Sequence, residues 1–317
     1  MSDSAPRPAA ESSGTELRVR YAGIGDEAGA SLATQLAAIE QLNWTSIELR
    51  TLDGVPVAAV SDDEFERVAA TIAARGLAVT CLASGIGNWS RPVTADFAPD
   101  VAELDVLARR CHRLGARYIR VMSYTAGGLD EREWGRRARW RLGELAERAE
   151  QAGVTLVHEN CSGWAACHAE RMLELAAQHP GLALLFDIGN GVAYGYRALT
   201  VLAEIVDHVA HVHVKDARGD KAEPVYTPAG AGEAEVAQCL RLLLDHGFSG
   251  TWSIEPHIAV RPHEGLAADT AHRGAHAPHE GFVACGRALE RLVVEDVLPT
   301  LPGWSAVPGG LRGAGAR

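Results

Sequence analysis

Ala210-His211-Val212-His213-Val214-Lys215-Asp216 alternates apolar and polar residues over its first six positions. A period of two with β-branched residues reads as a β-strand, and it puts His211, His213 and Lys215 on one face and the two valines on the other. Similar runs recur along the chain. The strand candidates are Arg18–Ile24, Ser46–Arg50, Ala78–Ala83, Tyr118–Tyr124, Val154–Asn160, Leu182–Asp187, Val209–Lys215 and Thr251–Glu255, eight in all. Helical patterns lie between them at Ser31–Leu42, Asp62–Arg75, Asp100–Leu114, Glu131–Ala152, Cys167–His179, Arg197–Val206 and Ala234–His246, and a last one follows at Gly281–Val297. Ser61-Asp62-Asp63-Glu64 is a helix start, and Gly76, Gly115, Gly153, Gly181 and Gly247 stand where helices stop.

Alternating β and α elements predict a parallel sheet. Eight units with no leftover domain predict an α/β protein whose single domain, residues 17–300, is a closed (β/α)8 TIM barrel. A doubly wound sheet would usually carry a G-x-G-x-x-G loop after its first strand, and Ile24-Gly25-Asp26-Glu27-Ala28-Gly29 is not one. Residues 1–16, polar and rich in Ser, Ala and Pro, read as a disordered leader, and residues 301–317, rich in Gly, as a flexible C-terminal tail.

The composition bounds the function. Of 317 residues, 47% are apolar and 22% charged, as in an ordinary globular protein with a large core. No apolar run reaches membrane-spanning length, and the N-terminus lacks the apolar stretch of a signal peptide, so the expected location is the cytoplasm. The six cysteines are scattered without a CxxC pair, which reads as reduced, mostly buried thiols. A net charge of -11 is opposite to what a phosphate-backbone binder needs, so no nucleic-acid partner is expected.

In a barrel of this kind chemistry sits at the C-terminal ends of the strands. Four consecutive ends carry a residue able to hold a metal: Glu159 in Val157-His158-Glu159-Asn160, Asp187 in Phe186-Asp187-Ile188-Gly189-Asn190, His213, and Glu255 in Ile254-Glu255-Pro256-His257. Any one acidic strand end is ordinarily a cap or a solvated loop residue, but four in succession form an oxygen-rich set suited to one divalent ion, Mn, Mg, Co or Zn.

This pattern resembles the xylose-isomerase-like TIM-barrel superfamily of sugar isomerases and epimerases, which includes the AP endonuclease 2-like family. The resemblance spans roughly residues 18 to 297. It rests on Ala210–Asp216, on Gly230-Ala231-Gly232-Glu233 followed by a helix and Gly250-Thr251-Trp252-Ser253-Ile254-Glu255, and on Glu48-Leu49. It implies Glu159, Asp187, His213 and Glu255 as metal ligands, with Glu159 and Glu255 doubling as acid and base. Where many members carry a His, this chain has Asn190, and Gly25-Asp26-Glu27 and Ser84–Trp89 match no subfamily. The additional ligands that a DNA-repair metal cluster requires are not found.

The expected reaction is proton abstraction next to a carbonyl, with a metal-stabilised enediolate, on a sugar or polyol. A lyase of the inosose or 3-dehydroshikimate dehydratase type is the alternative enzyme, and a non-catalytic ligand-binding barrel the alternative from another class. Lys215, His257, Glu48, Trp89 and Arg120 are the candidate substrate-binding residues. For four of them there is a plainer role: an ion pair with Asp216 for Lys215, charge pairing inside the barrel for Glu48 and Arg120, and loop packing for Trp89. His211 and His158 read as structural. Arg261–Glu280, with His263, His272, His276 and His279, reads as a mobile loop over the mouth. A homo-oligomer is compatible with this reading.

Overall fold

The computed structural model describes residues 16–221, 223–261, 266–267 and 277–314. Eight parallel strands form the barrel: β1 (Leu17–Gly23), β2 (Ser46–Leu49), β3 (Ala78–Ala83), β4 (Tyr118–Ser123), β5 (Thr155–Gly163), β6 (Leu182–Asp187), β7 (Val209–Val214) and β8 (Gly250–Ile254). They pair in the order β1-β8-β7-β6-β5-β4-β3-β2. The ring closes through a parallel bridge between Ile24 and Glu48. The major helices are α1 (Leu32–Gln41), α2 (Asp62–Ala74), α3 (Ala98–Leu114), α4 (Glu131–Gln151), α5 (Ala169–Gln178), α6 (Ala198–Ile205), α7 (Val236–Asp245) and α8 (Pro278–Leu292).

The helix ends follow from local chemistry. The Ser61 hydroxyl accepts from the Glu64 amide, the Asp130 carboxylate accepts from Glu133, and Gly115 ends α3 in a left-handed conformation. Between sheet and helices lies the main core, with Leu36, Ile47, Leu156, Phe186 and Leu240 fully buried. Inside the barrel a small plug of Cys81, Val157 and Leu185 underlies the mouth. None of the six cysteines is paired in a disulfide.

The expected flexible tail is corrected at residues 304–313. Two strands, β9 (Trp304–Val307) and β10 (Gly310–Gly313), form an antiparallel hairpin, and β10 runs antiparallel to Leu17–Arg20 of β1. The hairpin therefore occupies the lower half of the edge of β1 whose upper end meets β2. At Gly310 a side chain would run into the Val19 carbonyl, so only glycine permits the approach. Leu311, buried completely, anchors it. A Gly-rich composition reads as loose chain, and here the glycines serve close backbone pairing instead. The expected leader lies outside the described residues except for Glu16, and most of 261–280 lies outside them too. No described helix is long and apolar enough to cross a membrane.

Truncating Leu311 to Ala is expected to lower the unfolding free energy by about 2–5 kcal/mol, as for other fully buried leucines. Chemical denaturation measures it. A loose tail would register no change.

Candidate metal centre and active site

Strand register assembles the centre. Glu159 on β5 stands beside Leu185, Asp187 on β6 beside His213, and Ser253 on β8 beside His213, so Glu255 lies one inward position further along. All four residues are buried, and one donor atom of each falls within 4.8 Å of the others. His213 Nδ1 is 3.6 Å from Glu159 Oε1, 3.6 Å from Glu255 Oε2 and 3.9 Å from Asp187 Oδ2, yet hydrogen-bonds to none of them. Its other nitrogen, Nε2, lies 3.1 and 3.2 Å from the two oxygens of Glu48. An ionised carboxylate only accepts, so Nε2 carries a proton and donates to Glu48, which leaves Nδ1 as the ring nitrogen that faces the other carboxylates.

Cations surround the acidic centre. Arg120 Nη1 donates to Glu159 Oε2 at 3.1 Å, and Arg50 Nη1 donates to Glu255 Oε1 at 2.7 Å. Lys215 Nζ donates to Glu255 Oε2 at 3.0 Å and forms an ion pair with Asp187 at 2.6 Å, off the hydrogen-bonding direction. Arg50 also binds Asp26 and Glu27. Glu27 in turn holds both the backbone N–H and Nδ1 of His257, each at 2.7 Å. These bonds fix His257 in a left-handed conformation, φ 54°, that costs a non-glycine residue about 1 kcal/mol or more.

Burial and charge oppose each other at Asp187, Glu48, His213 and Lys215. Burial pushes the Asp187 carboxyl up to about 6 against the pull of Lys215. For Glu48 burial pushes up, but the His213 and His211 rings prevail and hold it well below the carboxylate range. Burial resists the charging of His213, and Glu48 with the other carboxylates overcomes it, so its pKa rises well above the usual value. Lys215 is raised in the same way by Asp187 and Glu255.

The residues fit a divalent cation. The connected network holds six carboxylates (Asp26, Glu27, Glu48, Glu159, Asp187, Glu255) against three permanent cations (Arg50, Arg120, Lys215), so the remaining balance falls to the imidazoles or to a bound cation. Buried charge of one sign calls for a counter-charge, and a buried imidazole nitrogen without a partner calls for a ligand. Two other groupings fit less well. In Glu48–Cys81–His211 the carboxylate is occupied by two imidazoles and burial pushes the thiol well up. In Glu27–Glu255–His257 the Arg50 guanidinium already bridges both carboxylates.

Of the candidate substrate-binding residues, Lys215, His257, Trp89 and Arg120 line a cavity of about 310 Å³ above the centre, with Glu159, Glu255, Asn190 and Tyr226. Glu48 does not line it. Fully buried, it holds His211 and His213 from below, which corrects the expectation that it meets sugar hydroxyls. Lys215 turns from Asp216 to Asp187 and Glu255, while Asp216 accepts the amides of Ala217, Gly230, Gly232 and Ala234 and so shapes the following loop. Lys215 reaches inward because Gly189, lacking a side chain, leaves room for its stem. His158 points to the opposite face and is buried with both ring nitrogens unpartnered, so its pKa falls to about 4. Sequence reading missed Asp26, Glu27 and Arg50. They stand just beyond β1 and β2, and the strand-end rule used on four strands would have found them if extended to all eight.

Fold and site together define a (β/α)8 barrel with a buried carboxylate–imidazole centre at its C-terminal mouth. The chain belongs to the xylose isomerase-like TIM barrel family, whose model matches residues 36–273. It is 30% identical over 145 residues to an inosose dehydratase of Clostridium perfringens, covering 40% of this chain and 48% of that protein. It is 27% identical over 149 residues to a fructoselysine 3-epimerase of Escherichia coli, covering 45% and 53%. The chain thus aligns with about half the length of these curated relatives. Among solved structures it is similar to an L-ribulose 3-epimerase (TM-score 0.69, 21% identity, 90% of this chain and 97% of that one). It is also similar to a xylose isomerase-like barrel from Mycobacterium smegmatis in complex with magnesium (TM-score 0.62, 17% identity, 87% and 98%).

Replacing Glu48 with Gln removes the anionic acceptor behind His213. Metal affinity, measured by competition with a chelator, is expected to fall about 10- to 100-fold, as for other partners of metal-bound imidazoles, with the circular dichroism spectrum unchanged. Unaltered affinity would mean that Glu48 does not orient the ligand.

Proposed function

We propose that the chain is a metal-dependent isomerase or epimerase of a sugar or polyol, acting by proton abstraction beside a carbonyl. The observation that carries this reading is the partnerless Nδ1 of His213 among the carboxylates of Glu159, Asp187 and Glu255, beneath a ligand-sized cavity that Glu159 and Glu255 line. Those four residues would hold the ion. When bound, a divalent ion supplies Lewis-acid stabilisation of negative charge developing on substrate oxygens.

The chain's own groups account for the proton. Glu159 and Glu255 arise from strands separated by two others around the ring, so they approach a ligand in the mouth from different sides. One takes the proton from the carbon beside the carbonyl and the other returns one, giving an epimer if the proton returns to the other face of the same carbon. Arg120 and Arg50 each occupy one oxygen of these glutamates and hold them in place. Lys215 and His257, 3.4 Å apart at the cavity wall, offer polar contacts to substrate oxygens. The Trp89 ring supplies an apolar wall for sugar C–H groups.

The similarity to an inosose dehydratase favours a second reading, a lyase that shares the proton abstraction and then expels a β-hydroxyl. Incubation with ketohexoses, ketopentoses, inososes and 3-keto sugars in deuterated water separates the two. An epimerase or isomerase incorporates deuterium beside the carbonyl at unchanged formula, whereas a dehydratase yields an ultraviolet-absorbing enone.

Purified protein is expected to carry about one equivalent of Mn, Mg, Co or Zn, and His213→Ala to lower that occupancy without unfolding. Full retention of metal in both His213→Ala and Glu159→Ala would refute the ligand set. Glu159→Gln and Glu255→Gln are each expected to reduce turnover by about two orders of magnitude or more, since each removes a proton-transfer group. Near-normal turnover by either one excludes a two-glutamate mechanism.

A further inference from the structure

Each carboxylate of the centre turns one oxygen to the surrounding protein and the other to His213. Asp187 Oδ1 accepts the Asn190 amide at 3.1 Å, Glu159 Oε2 accepts from Arg120, and Glu255 Oε1 accepts from Arg50. The other three oxygens, Asp187 Oδ2, Glu159 Oε1 and Glu255 Oε2, face His213 Nδ1. These three are the donor atoms that an ion beside Nδ1 would use. Lys215 Nζ touches two of them, Asp187 Oδ2 at 2.6 Å and Glu255 Oε2 at 3.0 Å.

An ammonium and a divalent ion that seek the same buried oxygens repel each other in a medium that screens charge poorly. Arg120 and Arg50 do not stand in this relation. Each binds an oxygen turned away from Nδ1, and each is fixed by further partners, the Ser84 carbonyl for Arg120 and Asp26 with Glu27 for Arg50. Lys215 differs from both in kind. It carries a point charge on a flexible four-carbon stem, where arginine has a rigid planar fork. Its side chain also lines the cavity, and its Nζ lies 3.4 Å from His257 Nε2, so the cavity wall offers it a second place. Of the 30 basic residues in the chain only Lys215 and Lys221 are lysines.

We propose that Lys215 is an internal competitor of the metal ion, whose ammonium holds Asp187 and Glu255 until an ion claims their oxygens and is then released to the cavity wall, where substrate meets it. The inference rests on the metal-binding set of the reading above and adds an order to it, ion first and substrate second. Because coupling between two binding events is reciprocal, the contacts that Lys215 gives up when the ion binds are subtracted from the affinity for the ion.

The test measures manganese affinity of the full chain by competition with a chelator, for the wild type, Lys215→Met and Arg120→Met. The expected result is an affinity at least about tenfold higher in Lys215→Met and no rise in Arg120→Met. Loss of a nearby positive charge would by itself raise both, so an equal rise in the two variants overturns the proposal, as does an unchanged or lower affinity in Lys215→Met. A second measurement needs no variant to fold. The wild type is treated with an acetylating reagent with and without manganese, and modification of Lys215 is read by mass spectrometry relative to the exposed Lys221. Manganese is expected to raise the modification of Lys215 several-fold, and constant or reduced modification refutes its release. Manganese bound by Lys215→Met but not by the wild type supports the competition. Manganese bound by neither removes the metal-binding set and the competition with it.

Discussion

Three carboxylates buried around one imidazole nitrogen repel one another, and much of the mouth is arranged to offset that repulsion. Glu159, Asp187 and Glu255 each face His213 Nδ1 across less than 4 Å. In a medium that screens charge poorly, such a group stays ionised only if cations stand close by. Arg120 from within β4, and Arg50 and Lys215 from the residues just after β2 and β7, supply three. Asp26 and Glu27 then hold Arg50, and Glu27 also holds His257. The network runs from β1 to β8, so the complete centre requires the closed barrel.

Closure has a second consequence below the mouth. Glu48 on β2 is brought to the inward face of β7 because the ring closes between β1 and β2, and there it receives both histidines of the alternating strand. The same seam explains the C-terminal hairpin. The lower half of β1 meets β10 where its upper end meets β2, and Leu311 with Gly310 seals the edge that a loose tail would have left exposed.

The barrel was legible because its information is local. Val212 and Val214, the glycines after helices and the serine and aspartate caps each act within a few residues, and the strand windows agree with the observed strands to within a few residues at each end. The candidate ligands were legible for a related reason. A parallel barrel puts the ends of its strands at one mouth, so listing the acidic and imidazole residues at those ends is enough to propose a centre without knowing a single distance. Glu48 misled because the same residue type on an inward face serves a substrate at one level of the barrel and a histidine one level lower.

The sequence by itself therefore determined the number and order of the βα units, the inward faces of the strands and the candidate metal-binding set, since periodicity and chain order settle these. Only the tertiary structure decided that Arg50 pairs with Glu255, that Lys215 serves the centre rather than Asp216, that Glu48 lies beneath His213, and that the last strands complete the sheet. Those pairings join residues far apart in the chain, Arg50 and Glu255 being 205 positions apart. Their partners are chosen by the stagger of neighbouring strands and by the space a glycine leaves open, and neither quantity exists until the barrel has closed.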